Sequence, residues 1–254
     1  MSKLSCYIWA WKGITPVRKS LQLFRKLYPD GRIYINVDHD GDVEGYMELS
    51  KEFEDTVLTR NAFQLGYCGD FGDVKTGRQH WDRESTFHWF DQLYDACVTC
   101  PTEYMILLEE DDFILKPITI LDTEFSMAIH PTDPSPTGRT RPNPIPSQFK
   151  DWAINMGGIG NSPGYAAGGG TIFNPNHFID AWDRVKEKLW NDFDDLCSIN
   201  KIMGWEDFTF QFILMAGGYD IIQNHQLAEH WEVPEFDDYE IITGLKDLKI
   251  IEQL

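Results

Sequence analysis

Four acidic residues in a row, Glu109 to Asp112, are the stretch of this sequence best suited to chemistry. They directly follow the apolar run Tyr104 to Leu108 and precede a second apolar run, Phe113 to Leu115. Adjacent carboxylates repel one another unless a cation lies among them, and hard oxygen ligands suit Mg²⁺, Mn²⁺ or Ca²⁺. The run therefore predicts a metal site. A solvated acidic turn is the alternative, although the run has no Gly, Asn or Ser to make an ordinary turn.

A second acidic loop, Asp38 to Asp42, follows the predicted strand 32–37. An EF-hand is excluded because position six of such a loop would be Val43 and position twelve Leu49, instead of Gly and Glu. Three interpretations stay open. Asp38 or Asp40 accepts hydrogen bonds from a nucleoside, as carboxylates do in dinucleotide folds; the loop is a plain turn; or it is the nucleophile loop of a haloacid-dehalogenase-like phosphatase.

A third acidic pair, Glu206 and Asp207, follows Trp205 at the predicted start of a helix. Acids in a first helical turn are favoured by the helix dipole, so a helix cap is the structural alternative to a functional role. Two late histidines, His225 and His230, lie further along the chain. Of these we select His230 as a candidate third metal ligand, with hydrogen-bonded structural histidines as the alternative.

Two glycine-rich segments are candidates for contact with a phosphate-bearing ligand. The segment 60–81 carries Lys75 and Arg78, which are notable cations in so acidic a chain and could contact a phosphate, although solvated surface charge is the alternative. The segment 157–170 concentrates glycines, among them Gly168 and Gly169, whose missing side chains would let a ligand approach the backbone. The segment 157–170 has neither the spacing of a P-loop nor that of a dinucleotide fingerprint.

The elements that must position these residues read as an α/β fold. The residues 4–11 predict a strand, 15–28 a helix with Thr15 and Pro16 at its start, and 32–37 a second strand, which together make a βαβ unit. Tyr104 to Leu108 has no alternation, as expected of a buried parallel strand. The acids then fall at the carboxyl ends of strands, where open α/β sheets bind ligands.

Further helices are predicted at residues 44–53, 83–98, 121–128, 175–189 and from 205 onwards, with a late strand at 220–223. The residues 130–148 are rich in proline and predict a loop. We expect a single domain over 1–254, in which 1–117 is a nucleotide-binding half and 118–254 an acceptor-binding half that contains this loop.

Composition narrows the classes of partner. The formal net charge is −19, which repels phosphate backbones and anionic membranes, so nucleic acid is an unfavourable partner. The five cysteines are scattered and odd in number, which fits reduced thiols. Since no 18-residue apolar stretch and no signal-peptide pattern occur, we expect no membrane span and a cytoplasmic protein.

Taken in order along the chain, the βαβ unit, Glu110-Asp111-Asp112, the glycine-rich segment and Trp205-Glu206-Asp207 resemble the glycosyltransferases of GT-A fold. The local sequence 107–117, LLEEDDFILKP, is similar to the Glu-Asp-Asp variant of the DxD motif in N-acetylglucosaminyltransferases. The resemblance implies a Rossmann-like, mixed but mostly parallel central sheet flanked by helices. It also implies transfer of a sugar from a nucleotide-diphosphate sugar, with UDP-sugars favoured over GDP-sugars, to a hydroxyl of a glycan or other acceptor.

Carried over to this sequence, the resemblance implies that Asp112 coordinates Mn²⁺ or Mg²⁺, while Glu110 and Asp111 contact ribose, sugar or metal-bound water. Asp207 would be the catalytic base of an inverting transfer, and Glu206 would hold the acceptor or the donor sugar. The family's Golgi enzymes have a membrane anchor and stem that this sequence lacks, so an origin in bacteria or viruses is expected. The rival interpretations are the phosphatase that uses Asp38 or Asp40, and a noncatalytic module that binds carbohydrate or nucleotide.

Overall fold

The computed structural model describes residues 2–62, 83–131, 147–160, 164–165, 169–199, 205–229 and 238–254. The helices are α1 Ile14–Leu27, α2 Val43–Ser50, α3 Arg83–Val98, α4 Ser147–Asn155, α5 Pro175–Ile199, α6 Trp205–Gly217 and α7 Leu248–Ile251. The strands are β1 Leu4–Ala10, β2 Ile33–Val37, β3 Thr56–Arg60, β4 Tyr104–Leu108, β5 Phe113–Ile114, β6 Met127–Pro131, β7 Gly164–Tyr165, β8 Ile172–Phe173, β9 Ile221–Gln223, β10 Leu227–Glu229 and β11 Ile241–Thr243.

The first half of the central sheet is parallel, in the order β3-β2-β1-β4. The predicted βαβ unit is confirmed: α1 connects β1 to β2, and its buried residues Val17, Leu21 and Phe24 share one face. The helix begins earlier than predicted, because Gly13 and not Thr15 is its N-terminal cap residue. Since β1, β2 and β4 are parallel, their carboxyl ends lie at one edge of the sheet, which we call the acidic edge.

The second half of the sheet introduces antiparallel pairing. Strand β8 lies between β4 and β6 and is antiparallel to both, while β9 is parallel to β6. The helix predicted at 121–128 is wrong: a 3-10 turn at Thr119–Asp122 is followed by β6. A short apolar run is compatible with either element by periodicity alone, and here residues 127–130 are buried inside the sheet.

Helices cover both faces of this sheet. One core joins alternate residues of β1 and β2, such as Leu4 and Ile33, to the buried face of α1. The other core joins Tyr7 and Met105 to aromatic and aliphatic residues of α3, α5 and α6. The predicted class, a mixed and mostly parallel α/β sheet flanked by helices, is therefore confirmed. Within the described ranges, no helix combines the length and apolar character needed to cross a bilayer.

A small second sheet, which we did not predict from the sequence, lies beside the acidic run. Strand β11 pairs with β5 in the antiparallel sense and with β10 in the parallel sense. Strand β5 begins directly after Asp112, so the C-terminal part of the chain lies against the acidic run.

Candidate functional site

The residues Glu109 to Asp112 form a turn between β4 and β5, which we call the acidic turn. The Asp112 N–H donates to the Glu109 carbonyl at 3.3 Å and closes this turn. The start of β8 also lies here, because the Gly170 N–H donates to the Leu107 carbonyl at 2.8 Å. The acidic residues and the end of the glycine-rich segment, far apart in sequence, are thus brought together at the acidic edge.

Asp112 is the buried centre of the acidic turn, with 1% of its surface exposed. Its Oδ2 accepts the N–H of Glu109 at 2.6 Å, and its Oδ1 accepts the N–H of Gly244, which follows β11, at 3.2 Å. Two backbone donors therefore fix the orientation of the carboxylate. Each oxygen retains capacity for another partner, because a carboxylate has about four lone-pair sites.

Gly169 lies directly against this carboxylate. A Cβ atom at position 169 would lie 2.7 Å from Cγ and 2.8 Å from Oδ1 of Asp112, and closer still to Oδ2. Real Cβ atoms do not come within 3.0 Å of other heavy atoms, so only glycine fits without a shift. The structure thus brings the predicted Gly169 and Asp112 together.

The electrostatic environment of the acidic turn favours a cation. Burial raises the pKa of the Asp112 carboxyl well above its usual range, and the neighbouring charges of Glu109 and Asp111 raise it further. The two backbone N–H bonds act in the opposite direction. Lys246 supplies a countercharge beside the turn, because its Nζ lies 3.6 Å from Oδ2 of Asp111, but its side chain is exposed. A cation bound beside Asp112 would stabilise the charged form of the carboxyl.

A complete protein cage for a metal is not found in the part of the chain that the structure describes: no three His, Cys, Asp or Glu side chains there meet as a possible ligand group. Mg²⁺ is often held by one or two carboxylates together with waters and phosphate oxygens of a substrate. Asp112, oriented by two backbone N–H groups and flanked by the charges of Glu109 and Asp111, has the donor chemistry of this second mode of binding.

Glu110 points to a different part of the molecule. One of its carboxylate oxygens, Oε1, accepts the backbone N–H of Trp11, the backbone N–H of Gly13 at 2.8 Å and the hydroxyl of Tyr46 at 2.8 Å. Burial, and then the charge of Glu110, raise the pKa of Tyr46, so its hydroxyl stays protonated and donates. These contacts tie the acidic turn to the β1–α1 loop.

The loop Asp38 to Asp42 lies beside that loop at the acidic edge. Asp38 is fully buried, and its Oδ1 accepts the His39 N–H at 2.7 Å. Asp40 is exposed and accepts the indole N–H of Trp11 at 2.9 Å. Asp42 caps α2 by accepting the Gly45 N–H at 2.9 Å. Asp40 and Asp42 are both exposed, but Asp42 has a structural role as the cap of α2.

The end of α6 can be placed relative to the acidic turn. Tyr219, just after α6, stacks on His177 of α5 with ring centroids 4.5 Å apart. Phe173, the last residue of β8, pairs with Met105 near the start of β4, so β8 ends at the edge opposite the acidic turn. Helix α5 begins directly after β8, and His177 near its start therefore lies at that opposite edge. Since α6 is about 20 Å long at ~1.5 Å per residue, a helix that runs along the strands from that opposite edge would begin near the acidic edge.

The backbones of Glu206 and Asp207 belong to the first turn of α6, but their side chains lie outside the described part of the structure. Lys75, Arg78, Gly168 and His230 lie outside the described residues altogether, as does most of the predicted proline-rich loop. His225 is exposed in the turn between β9 and β10.

We did not predict from the sequence the two groups of residues that hold the acidic turn. On one side these are Trp11, Gly13 and Tyr46 around Glu110; on the other they are Gly244 and Leu245, whose N–H groups donate to Asp112 and to the Asp111 carbonyl. The signal for the first is Gly13, a glycine three residues after the end of β1. Gly244, with φ of 72°, gave no signal that distinguishes it from an ordinary turn glycine.

Comparison with known proteins gives limited information. No protein-family profile and no curated protein sequence matches the chain. Among solved structures, the galactosyltransferase LgtC in complex with donor and acceptor sugar analogs is similar at 10% identity and a TM-score of 0.48, over 94% of this chain and 86% of that one. An active-site mutant of LgtC is similar at 9% identity and a TM-score of 0.47, over 95% and 88%. At these values nothing about substrate or mechanism follows for this chain.

Proposed function

We propose that the protein is a divalent-metal-dependent glycosyltransferase that moves a sugar from a nucleotide-diphosphate sugar to a hydroxyl acceptor. The observation that carries this proposal is the state of Asp112: a buried carboxylate, oriented by two N–H groups and faced by a glycine, in an anionic turn at the ligand-binding edge of an α/β sheet. A purely structural acid at this position would be expected to have a cationic partner rather than two more acids beside it.

Asp112, with Asp111 beside it, would hold Mg²⁺ or Mn²⁺ together with the diphosphate of the donor. Such an ion supplies Lewis-acid neutralisation of the charge that develops on the leaving diphosphate. The exposed Asp40 would bind the nucleoside, for which a UDP-sugar is the favoured donor and a GDP-sugar the second choice. Lys75, Arg78 and the backbone at Gly168 and Gly169 are proposed as further contacts to the donor, and His230 as a further metal ligand.

Asp207 is proposed as the base that removes the proton from the acceptor hydroxyl, and Glu206 as a residue that holds a sugar. The placement of the end of α6 at the opposite edge, together with the length of the helix, supports this assignment. One base opposite one diphosphate site favours direct displacement with inversion at the sugar. In this scheme residues 1–117 bind the nucleotide and residues 118–254 bind the acceptor, within a cytoplasmic enzyme.

A phosphatase that uses Asp38 or Asp40 would instead release phosphate from simple esters, which a colorimetric assay detects directly. Its two candidate acids differ, because Asp38 is buried and bonds its own loop whereas Asp40 is exposed. A noncatalytic module would bind the same nucleotide without turnover, so kinetics separate it from the enzyme.

The proposal is tested in two steps. First, thermal unfolding is followed with UDP, GDP, CMP and their sugars, with Mn²⁺ or Mg²⁺ and with chelator, since specific binding raises the melting temperature. Asp112→Ala should abolish the metal-dependent part of nucleotide binding, whereas Asp151→Asn, which changes an exposed acid of α4, should not. Nucleotide binding that is the same with chelator would contradict the metal assignment.

Second, transfer is measured with the donor that binds. Asp207→Asn should retain donor binding and lose turnover by about 10²–10⁴-fold, the usual contribution of a general base. Wild-type rates in this variant would refute the base assignment. If no nucleotide or nucleotide sugar stabilises the wild type, the proposed function is wrong.

A further inference from the structure

Three hydrogen-bond donors meet at a single oxygen of Glu110. The backbone N–H groups of Trp11 and Gly13 come from the β1–α1 loop, and the hydroxyl of Tyr46 comes from α2. An oxygen of a carboxylate has two lone pairs, so three donors leave this atom with no capacity for a ligand. Oε1 of Glu110 is therefore fully engaged within the protein, whereas each oxygen of Asp112 accepts one donor.

The whole carboxylate of Glu110 lies against the loop. A Cβ atom at Gly13 would lie 2.6 Å from Oε2 and 2.9 Å from Cδ of Glu110. Gly13 has an ordinary φ of −84°, so its lack of a side chain is required by this close approach and not by the backbone conformation. Gly13 is also the N-terminal cap residue of α1, where free N–H groups favour a negative charge.

The loop that Glu110 holds is connected to the neighbouring loop at the acidic edge. The Trp11 carbonyl accepts the N–H of Asp42 at 2.8 Å, and the Trp11 indole N–H donates to Asp40 at 2.9 Å. The indole itself is 38% exposed, an unusual exposure for so large an apolar side chain. The contacts therefore run from Glu110 through Trp11 to Asp40.

We infer that Glu110 is a positioning residue: it serves as an internal anion that fixes the β1–α1 loop and thereby the pose of Trp11 and Asp40. This rests on the proposed function, in which Asp40 binds the nucleoside. It assigns Glu110 a different task from the one that the resemblance implies, contact with ribose, sugar or metal-bound water. Within the acidic turn, Glu110 then holds the β1–α1 loop, while Asp112 is the proposed metal ligand.

The pose of the loop is measured separately from ligand binding. The indole ¹⁵N–¹H resonance of Trp11, assigned by its loss in Trp11→Phe, reports the pose in protein without ligand. Calorimetry with the nucleotide diphosphate that stabilises the wild type, in the presence of Mg²⁺, reports affinity. The variants are Glu110→Ala, Glu110→Gln and Tyr46→Phe, and the control is Glu44→Gln, which removes the charge of an exposed acid in α2.

Glu110→Ala should move the Trp11 resonance and weaken nucleotide binding by about 10- to 100-fold, as is usual when a residue that orients a ligand-binding group is lost. Added formate, a small carboxylate that fits the space left by the side chain, should restore both readouts. Glu110→Gln keeps an acceptor oxygen without the charge, and Tyr46→Phe removes one donor of three, so both should show smaller changes in the same direction. Glu44→Gln should change neither readout.

A loss of affinity with an unmoved Trp11 resonance would overturn the inference, because Glu110 would then be a ligand contact. A moved resonance with unchanged affinity would overturn it as well, because the loop pose would not matter for binding. If Glu110→Ala does not fold, the graded variants Glu110→Gln and Tyr46→Phe provide the same test. If the wild type binds no nucleotide, the proposed function is wrong. The Trp11 resonance would still show whether Glu110 holds the loop.

A double-mutant cycle gives a check that needs no ligand. Gly13→Ala should displace the Glu110 carboxylate and move the Trp11 resonance as Glu110→Ala does. In the Glu110→Ala background, the added methyl group at Gly13 meets no carboxylate and should produce little further change. Additive effects of the two changes would show that the two residues act independently.

Discussion

Replacing Gly169 with alanine would place a methyl carbon against the carboxylate of Asp112. The Cγ atom of Asp112 would be 2.7 Å from this carbon and Oδ2 would be closer still, whereas ordinary van der Waals contact begins at 3.4 Å, so the two groups must separate by more than about 0.7 Å. The carboxylate has little freedom to move, because its Oδ2 accepts the Glu109 N–H at 2.6 Å and its Oδ1 accepts the Gly244 N–H at 3.2 Å. The shift must break or stretch these bonds, or displace the start of β8.

The expected cost differs between stability and function. Overpacking of a well-packed site typically destabilises a protein by about 1–3 kcal/mol. A misplacement of a reacting or positioning group by about 1 Å costs on the order of 10²-fold in rate. We therefore expect Gly169→Ala to fold with a modestly lower melting temperature and to lose metal-dependent nucleotide binding or turnover to a much larger extent.

The assay pairs urea unfolding with calorimetry of nucleotide binding in Mg²⁺ and in chelator. Gly160→Ala is the matched control, since its added methyl group meets chiefly the flexible tip of Ile154, away from the acidic turn. The reasoning is refuted if Gly169→Ala has wild-type stability together with wild-type metal-dependent binding. An equal loss in both glycine variants would also refute it, because the effect would then not depend on Asp112.

Two further predictions concern thiol reactivity and acid stability. Burial raises the pKa of the Cys97 thiol well above its usual range, so this thiol should not react at pH 8. A maleimide should label the partly exposed Cys100 and leave Cys97 unlabelled until urea unfolds the chain, as measured by mass spectrometry. The hydrogen bond from Lys188, and then the one from the Trp152 indole N–H, lower the pKa of Asp192. The stability that its charge contributes is therefore present above the unfolded pKa of about 3.9, and it is lost as the pH falls through the folded pKa. Asp192→Asn should therefore cost up to about 1 kcal/mol in urea unfolding at pH 7, and the difference from wild type should shrink toward pH 3; a difference that does not change with pH would contradict this.

The parts of the fold that sequence predicted correctly are those with a strong local pattern. The helix predicted at 83–98 coincides with α3, and the predicted strands at 4–11 and 32–37 match β1 and β2 within about one residue. Their hydrophobic faces are set by residues three or four apart in helices and two apart in strands, so a short window contains the signal. The same holds for Tyr104 to Leu108, whose uninterrupted apolar run predicted a buried strand.

Such a local pattern could not show which partner each acid of the acidic turn would have. Glu110, Asp111 and Asp112 look alike in the sequence, yet one bonds the β1–α1 loop, one lies near Lys246 and one accepts the Gly244 N–H. Their partners lie about a hundred residues away on either side, so tertiary packing alone decides which acid faces inward. For the same reason, the sequence identified the acidic run as a site without showing that Glu110 holds a loop.

The hydrogen bond between Gly244 and Asp112 joins residues 132 positions apart, and this has a consequence for the order of folding. Contacts between distant residues form late, because the entropy of closing a long loop must be overcome first. The β1–α1–β2 unit, with its local connections, can become structured well before β11 docks on β5. In refolding followed by pulsed hydrogen exchange, amides of the first sheet half should gain protection before the Gly244 amide, and metal affinity should emerge only with that last step.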